Sequence, residues 1–200
     1  HYTRVAKEKC NLPKGAQNLA WLNLDNEEGT EYWLAMNLAG DYAAANHQII
    51  HQKISKALDE KPVILAEKHH NFAWKEKLED GISVIVHRKG ATPAIKGALG
   101  VIPGSMISPG FIIKGKGNWP SINSASHGAG RLLSRSRAKK HFSKKVLFDA
   151  LNKAGVELMG GGLDEAPGAY KDIHKVMEYQ KDLVDIIGVF YPKIVRMSSD

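Results

Sequence analysis

The chain predicts an α+β fold, and three observations carry that reading. Residues 31–58 are rich in helix formers, with Leu34, Leu38, Tyr42, Ala45, Ile49 and Ile50 recurring near helical spacing. Two β-branched runs, "KPVILAEKHHNFAW" and "GISVIVHRKGATPA", follow, and each ends in a polar cluster. A third apolar stretch, "ALGVIPGSMISPGFIIKGKGN", is broken by Pro and Gly into a pair of strands.

Taken in order, "HYTRVAKEKC" reads as the middle or end of a helix with no cap residue ahead of it, and "NLPKG" breaks it. "LDNEEGTEYW" turns into the long helix. At 1.5 Å per residue that helix spans about 40 Å, longer than a small domain, so it is expected to cross a larger body. The two β-branched runs are expected as strands carrying His69-His70-Asn71 and His87-Arg88-Lys89 at their C-terminal ends. "SKKVLFDALNKAG" is a short helix with a glycine stop, and "ELMGGGLDEAPGAY" is a loop. "KDIHKVMEYQKDLVDII" is expected to resume helix, and "GVFYPKIVRM" to end in strand. No repeat, low-complexity tract or clear domain boundary interrupts the 200 residues.

Composition narrows the function. With 43% hydrophobic and 24% charged residues the chain is globular, and no apolar run approaches the roughly 20 residues of a membrane span. No signal-peptide pattern stands at the N-terminus, and the single Cys10 excludes an internal disulfide framework and a cysteine-rich zinc site. A reducing cytoplasm is the expected compartment. A net charge of +7 favours polyanionic partners such as RNA, DNA or nucleotides.

The most informative stretch is "NSASHGAGRLLSR", residues 123–135. It sets His127 among Ser126, Gly128, Ala129 and Gly130 and follows it with Arg131 and Arg135. Small neighbours let a foreign backbone or phosphate approach, and glycine reaches loop angles that other residues avoid. A reactive imidazole facing an anion is the reading this supports. Arg131, Arg135, Arg137, Lys139, Lys140, Lys144 and Lys145 then form a basic run suited to a nucleic-acid backbone.

His69-His70-Asn71 places two imidazoles and an amide together, but adjacent strand residues face opposite ways, so one histidine at most serves a given site. A surface pair is the plain alternative. Arg88 and Lys89, before Gly90 and Thr92, could grip a phosphate or form a solvated loop. Pro103, Gly104, Ser105 and Met106 are a Pro-Gly turn. Tyr170, after Asp164 and Glu165, could stack on a base or sit in the core.

Together, "HHNFA", "VHRKGAT", "IPGSM", "SASHGAGR" with the following "SR", and "DEAPGAYKDI" occur in this order in the RtcB family of RNA-splicing ligases, which the chain resembles over nearly its whole length. The resemblance implies the layered sheet-and-helix body of that fold, with residues 1–200 as the C-terminal portion of one ligase domain. It implies a GTP-dependent ligase that joins RNA 3′-phosphate or 2′,3′-cyclic phosphate ends to 5′-hydroxyl ends, with manganese as metal. The RNA would be tRNA halves or damaged ends. His127 would be the nucleophile that takes GMP as a phosphoramidate. His70 would be a metal ligand that also meets the nucleotide, with Asn71 beside it as a guanylate contact. Pro103, Gly104, Ser105 and Met106 would wrap the nucleotide, with Gly128, Ala129 and Gly130 beside the guanylated ring and Tyr170 near the guanine. Arg88, Lys89, Arg131 and Arg135 would meet RNA or nucleotide phosphates.

The chain also departs from the family pattern. Ile107 stands where a glycine is usual, Gly110-Phe111 where a Ser-Tyr pair is usual, and His47 in place of an arginine. The usual C-terminal lysine falls near Met197, with Arg196 the nearest cation. The family's other metal ligands have no match here, so a non-catalytic RNA-binding fragment, or a subunit completed by another chain, is the alternative expectation.

Overall fold

The computed structural model describes residues 1–69, 71–78 and 80–197. The chain divides into two compact units, His1–Phe72 and Ala73–Asp200.

The first unit is helical. Helix α1 (Tyr2–Lys9) leads through a 3-10 turn to α2 (Glu27–Leu58). Two glutamates, Glu27 and Glu28, occupy the first turn of α2, where the helix dipole favours negative charge. The helix starts four residues earlier than the apolar spacing suggests. It stops at Asp59, whose left-handed backbone (φ 54°) lets its N–H reach Lys56 O and that of Glu60 reach Ser55 O. Gly40 is buried because a Cβ there would lie 2.7 Å from the Phe72 ring, and that ring in turn stacks on His69. Within this unit Leu34, Leu38, Tyr42 and Ile49 remain exposed. The apolar spacing therefore forecast the helix but not a core.

Residues 61–69 form no strand, contrary to expectation, and Val63, Ile64 and Leu65 are exposed. Strand β1 (Phe72–Lys77) begins only after Asn71. His69 and Asn71 therefore precede a strand rather than end one. A β-branched run becomes a strand only where a partner ladder receives its backbone groups, and here none does.

In the second unit β1 pairs with β2 (Ser83–Arg88). Strand β3 (Ala91–Pro93) runs antiparallel to β6 (Ser124–Ser126), with Ala91 opposite Ser126. Strands β4 (Leu99–Ile102), β5 (Gly110–Gly115) and β8 (Val184–Phe190) make an antiparallel sheet in that order, bulged at Ile112/Ile113. Gly110 fits beneath the Phe190 ring, where a Cβ would lie 2.3 Å from it. The short β7 (Glu157–Leu158) and β9 (Ile194–Val195) pair in parallel. Helices α3 (Arg135–His141), α4 (Lys144–Ala154) and α5 (Ile173–Glu178) complete the unit. Helix α4 is capped by Ser143, whose Oγ accepts from Val146 N–H, and ends at Gly155 with φ 64°.

The expected helix over residues 171–187 is cut short. It covers only α5, and Val184 onward is strand. β-branched Val184, Ile186 and Val189 pair with β5, so a long-range ladder overrides the local pattern. Two cores result. One gathers Ile102, Phe111, Ile113, Ile173, Met177 and Val184, and the other Met106, Leu147, Leu151 and Val156. Burying a side chain such as Ile113 or Ile173 contributes about 2 kcal/mol. No described helix is long and apolar enough to cross a membrane.

Candidate functional site

His127 lies immediately after β6, in a turn built from backbone bonds. Its N–H points to Gly90 O at 3.4 Å, and Ala129 N–H donates to Pro103 O at 3.0 Å. The turn also carries side-chain bonds: Ser126 Oγ donates to Gly128 O at 2.5 Å and accepts from Gly128 N–H at 3.5 Å, and Ser126 N–H donates to Gln180 Oε1 at 2.8 Å. Glycine is required at 90 and 130 by the backbone angle, while the space around each is open. Gly90 takes φ +72°, and a Cβ there would sit 4.0 Å from His127 Cε1. Gly130 takes φ +73°, and its carbonyl accepts from Lys171 N–H at 2.9 Å. Lys171, which the sequence reading passed over, brings its Nζ to 4.0 Å from the place a Gly130 Cβ would occupy.

The Pro103–Gly104–Ser105–Met106 segment therefore does lie against the His127 turn. Its parts differ in use. Met106 is 2% exposed and belongs to the second core, and Ser105 Oγ is 2.8 Å from Ser108 Oγ. Gly104 is pressed so close to Pro109 O that a Cβ would approach within 2.6 Å. Pro103 is exposed. Met197, near which the resemblance leads one to expect a lysine, comes to the neighbourhood of Met106. Its N–H donates to Gly160 O, and Gly161 lies between its side chain and that of Met106.

Arg131, Arg135 and Tyr170 form one ion-pair network with Asp164 and Glu165. Arg131 donates to Leu133 O, Asp164 O and the Tyr170 hydroxyl, and its guanidinium stacks 4.9 Å over the Tyr170 ring. Tyr170 donates to Glu165. Burial, reinforced by the Glu165 carboxylate, pushes the Tyr170 hydroxyl up to about 12, so it stays protonated at neutral pH. Arg135 reaches Asp164 Oδ2 and Glu165 Oε1, each at 2.5 Å. Burial alone would raise the Asp164 carboxyl. The Arg135 hydrogen bond, a backbone hydrogen bond and the charges of Lys139 and Arg135 outweigh it and hold the carboxyl below the usual carboxylate range. The same pairing pushes the Arg135 guanidinium up.

Arg88 departs most from expectation. It is 2% exposed, donates to both Glu76 carboxylate oxygens (2.5 and 2.9 Å), to Ser124 Oγ and to Ile122 O, and stacks 5.1 Å from the Trp74 ring. Its donors are spent inside the fold, so it is a strut beneath β6 rather than a phosphate contact. Lys89, next to it, is exposed. The carbonyl that Arg88 grips belongs to Ile122, which with Asn123 takes left-handed angles (φ 51° and 47°) just before β6.

His70 lies outside the described residues. Asn71 is exposed and belongs to the first unit. Among the described residues no group of three or more His, Cys, Asp or Glu side chains could hold a metal ion.

Comparison with known proteins agrees with the motifs. The family model described as tRNA-splicing ligase RtcB matches residues 1–197. The RNA-splicing ligase RtcB of Escherichia coli is 39% identical over 175 residues, 80% of this chain and 43% of that protein. The tRNA-splicing ligase RtcB of Methanococcus maripaludis is 34% identical over 212 residues, covering 90% of this chain and 44% of the relative. That of Nanoarchaeum equitans is 31% identical, covering 97% and 48%. The chain thus spans less than half the length of these curated relatives.

Proposed function

Because the chain belongs to the tRNA-splicing ligase RtcB family, we propose that it is the C-terminal portion of a GTP-dependent RNA ligase domain and that His127 is the residue that takes GMP. The supporting observation is the His127 turn. Glycines at 90, 128 and 130 leave its surroundings open, and a backbone bond joins it to Pro103.

In the proposed step a neutral His127 ring nitrogen attacks the α-phosphorus of GTP. The N–P bond forms, the bond to the pyrophosphate oxygen breaks, pyrophosphate leaves and the ring proton passes to solvent. GMP then moves to an RNA 3′-phosphate, and a 5′-hydroxyl displaces it. A 2′,3′-cyclic phosphate is first opened to the 3′-phosphate. On this reading Pro103, Gly104 and Ser105 line the nucleotide while the Met106 side chain anchors that loop in the core. Gly128, Ala129 and Gly130 present backbone to the phosphate, and Tyr170 sits near the base. Arg131 and Arg135 act on phosphates only by sharing their donors with Asp164 and Glu165. Asn71, Lys89 and the exposed lysines of residues 139–145 are the remaining nucleotide and RNA contacts. His70 would be one ligand of the manganese ion, which when bound would offset the negative charge of the phosphates. The compartment is the cytoplasm.

The test is acid-labile label from GTP. Incubated with α-labelled GTP and manganese, the protein should carry GMP on His127, and His127→Ala should carry none. Label persisting in that variant would sink the assignment. The exposed basic run of residues 137–145 also fits one other reading, an RNA-binding portion without activity of its own. Salt-sensitive RNA binding with no label on the wild-type chain would support it.

A further inference from the structure

We propose that Gln180 is a positioning residue for His127, acting through Ser126. Gln180 sits between α5 and β8 and is 4% exposed. Its Oε1 accepts from Ser126 N–H at 2.8 Å across 54 positions of chain. Among the described residues strand β6 pairs with β3 alone, so this amide oxygen takes the place of a second ladder partner for the last residue of the strand. Ser126 then passes the constraint on. Its Oγ donates to Gly128 O at 2.5 Å, closing the turn with His127 at its centre.

The orientation of the Gln180 amide follows from its partners. An N–H can only donate, so the oxygen must face Ser126, and Nε2 is left facing Met177 Sδ at 3.5 Å, a weak acceptor. A buried amide with one strong bond costs more than an apolar side chain of the same shape. If Gln180 were there for packing, Met would serve beside Met177 and Val184. The strong bond it does make is to the residue preceding His127, and small displacements of a nucleophile are costly in rate.

The functional half of this inference rests on His127 as the guanylated residue, so the test has two readouts. Gln180→Met keeps the shape and removes the acceptor; Gln180→Glu keeps the acceptor. In Gln180→Met, amide exchange at Ser126 should quicken by about tenfold or more, and the His127 ring resonances should shift, with the core amides of β5 still protected. GMP transfer to His127 at saturating GTP should fall by about 10- to 100-fold with the KM for GTP little changed. Gln180→Glu should recover most of both. Unchanged Ser126 exchange in Gln180→Met would overturn the proposal. So would equal losses in the two variants, or a raised KM with an unchanged maximal rate. Should the wild-type chain take no GMP, the functional reading falls, and Ser126 exchange and the His127 resonances alone decide whether Gln180 positions the turn.

Discussion

Arg88 and the basic run of residues 131–145 look alike as sequence, and the structure separates them. Both are cations beside glycine-containing turns. Arg88 is enclosed between Trp74 and Glu76 with its donors bonded, whereas Arg137, Lys139, Lys140, Lys144 and Lys145 are exposed on and between α3 and α4. Arg135 stands between these cases, 67% exposed yet paired with two carboxylates. What makes Arg88 a strut is the carboxylate that meets it inside the fold. Glu76 lies 12 residues before Arg88, on the neighbouring strand, and no local pattern announces the pair.

The difference can be broken at each end. The largest effect is expected from Arg88→Met, which removes the guanidinium from Glu76 and takes one of two donors from the Ile122 carbonyl, leaving it the Ser124 hydroxyl. Breaking such a pair should cost about 3 kcal/mol, read as a lower urea midpoint. A change within the range of ordinary surface substitutions would show that Arg88 is no strut. Next, Lys139→Ala with Lys140→Ala should cost no more stability than the Lys139 charge lends Asp164, yet flatten the log–log salt dependence of RNA binding by about one unit or more, weakening all sequences alike. Self-guanylation should survive this change; if guanylation collapsed and the salt slope held, these lysines would belong to the nucleotide pocket.

The smallest effect concerns Asp164 and has a defined pH window. Its carboxyl is held below the ordinary value, so the stabilisation by Arg135 is fully present above about pH 4 and is lost as pH falls through the lower folded value. Asp164→Asn should be less stable than wild type at neutral pH and lose less on acidification. Parallel acid-unfolding curves for the two proteins would remove Asp164 from the account.

Some of this was legible in the sequence. Apolar spacing gave α2, the Pro and Gly breaks gave β4 and β5 as a pair, and Ser143 and Gly155 bracket α4 as capping chemistry requires. The small residues around His127 were readable as an open turn, and the ordered motifs identified the family. What escaped was set by distant partners. Whether "PVILA" or "DLVDII" becomes strand depends on whether a ladder is offered, and only the second meets β5. Gln180 carried no signal, since its bond to Ser126 exists only after α5 and β8 have docked.

The left-handed Ile122–Asn123 pair has a kinetic consequence. Such angles cost an L-residue roughly 1–2 kcal/mol, and a β-branched one most of all. Local bonds from Ile122 N–H to Trp119 O and from the Ser124 hydroxyl to Ile122 O help hold them, and Arg88 adds a long-range one that requires β1 and β2 to be paired already. The turn leading to His127 should then form after the folding barrier and be among the first parts lost on unfolding. Ile122→Gly, relieving the angle, should accordingly slow unfolding and leave the folding rate nearly untouched.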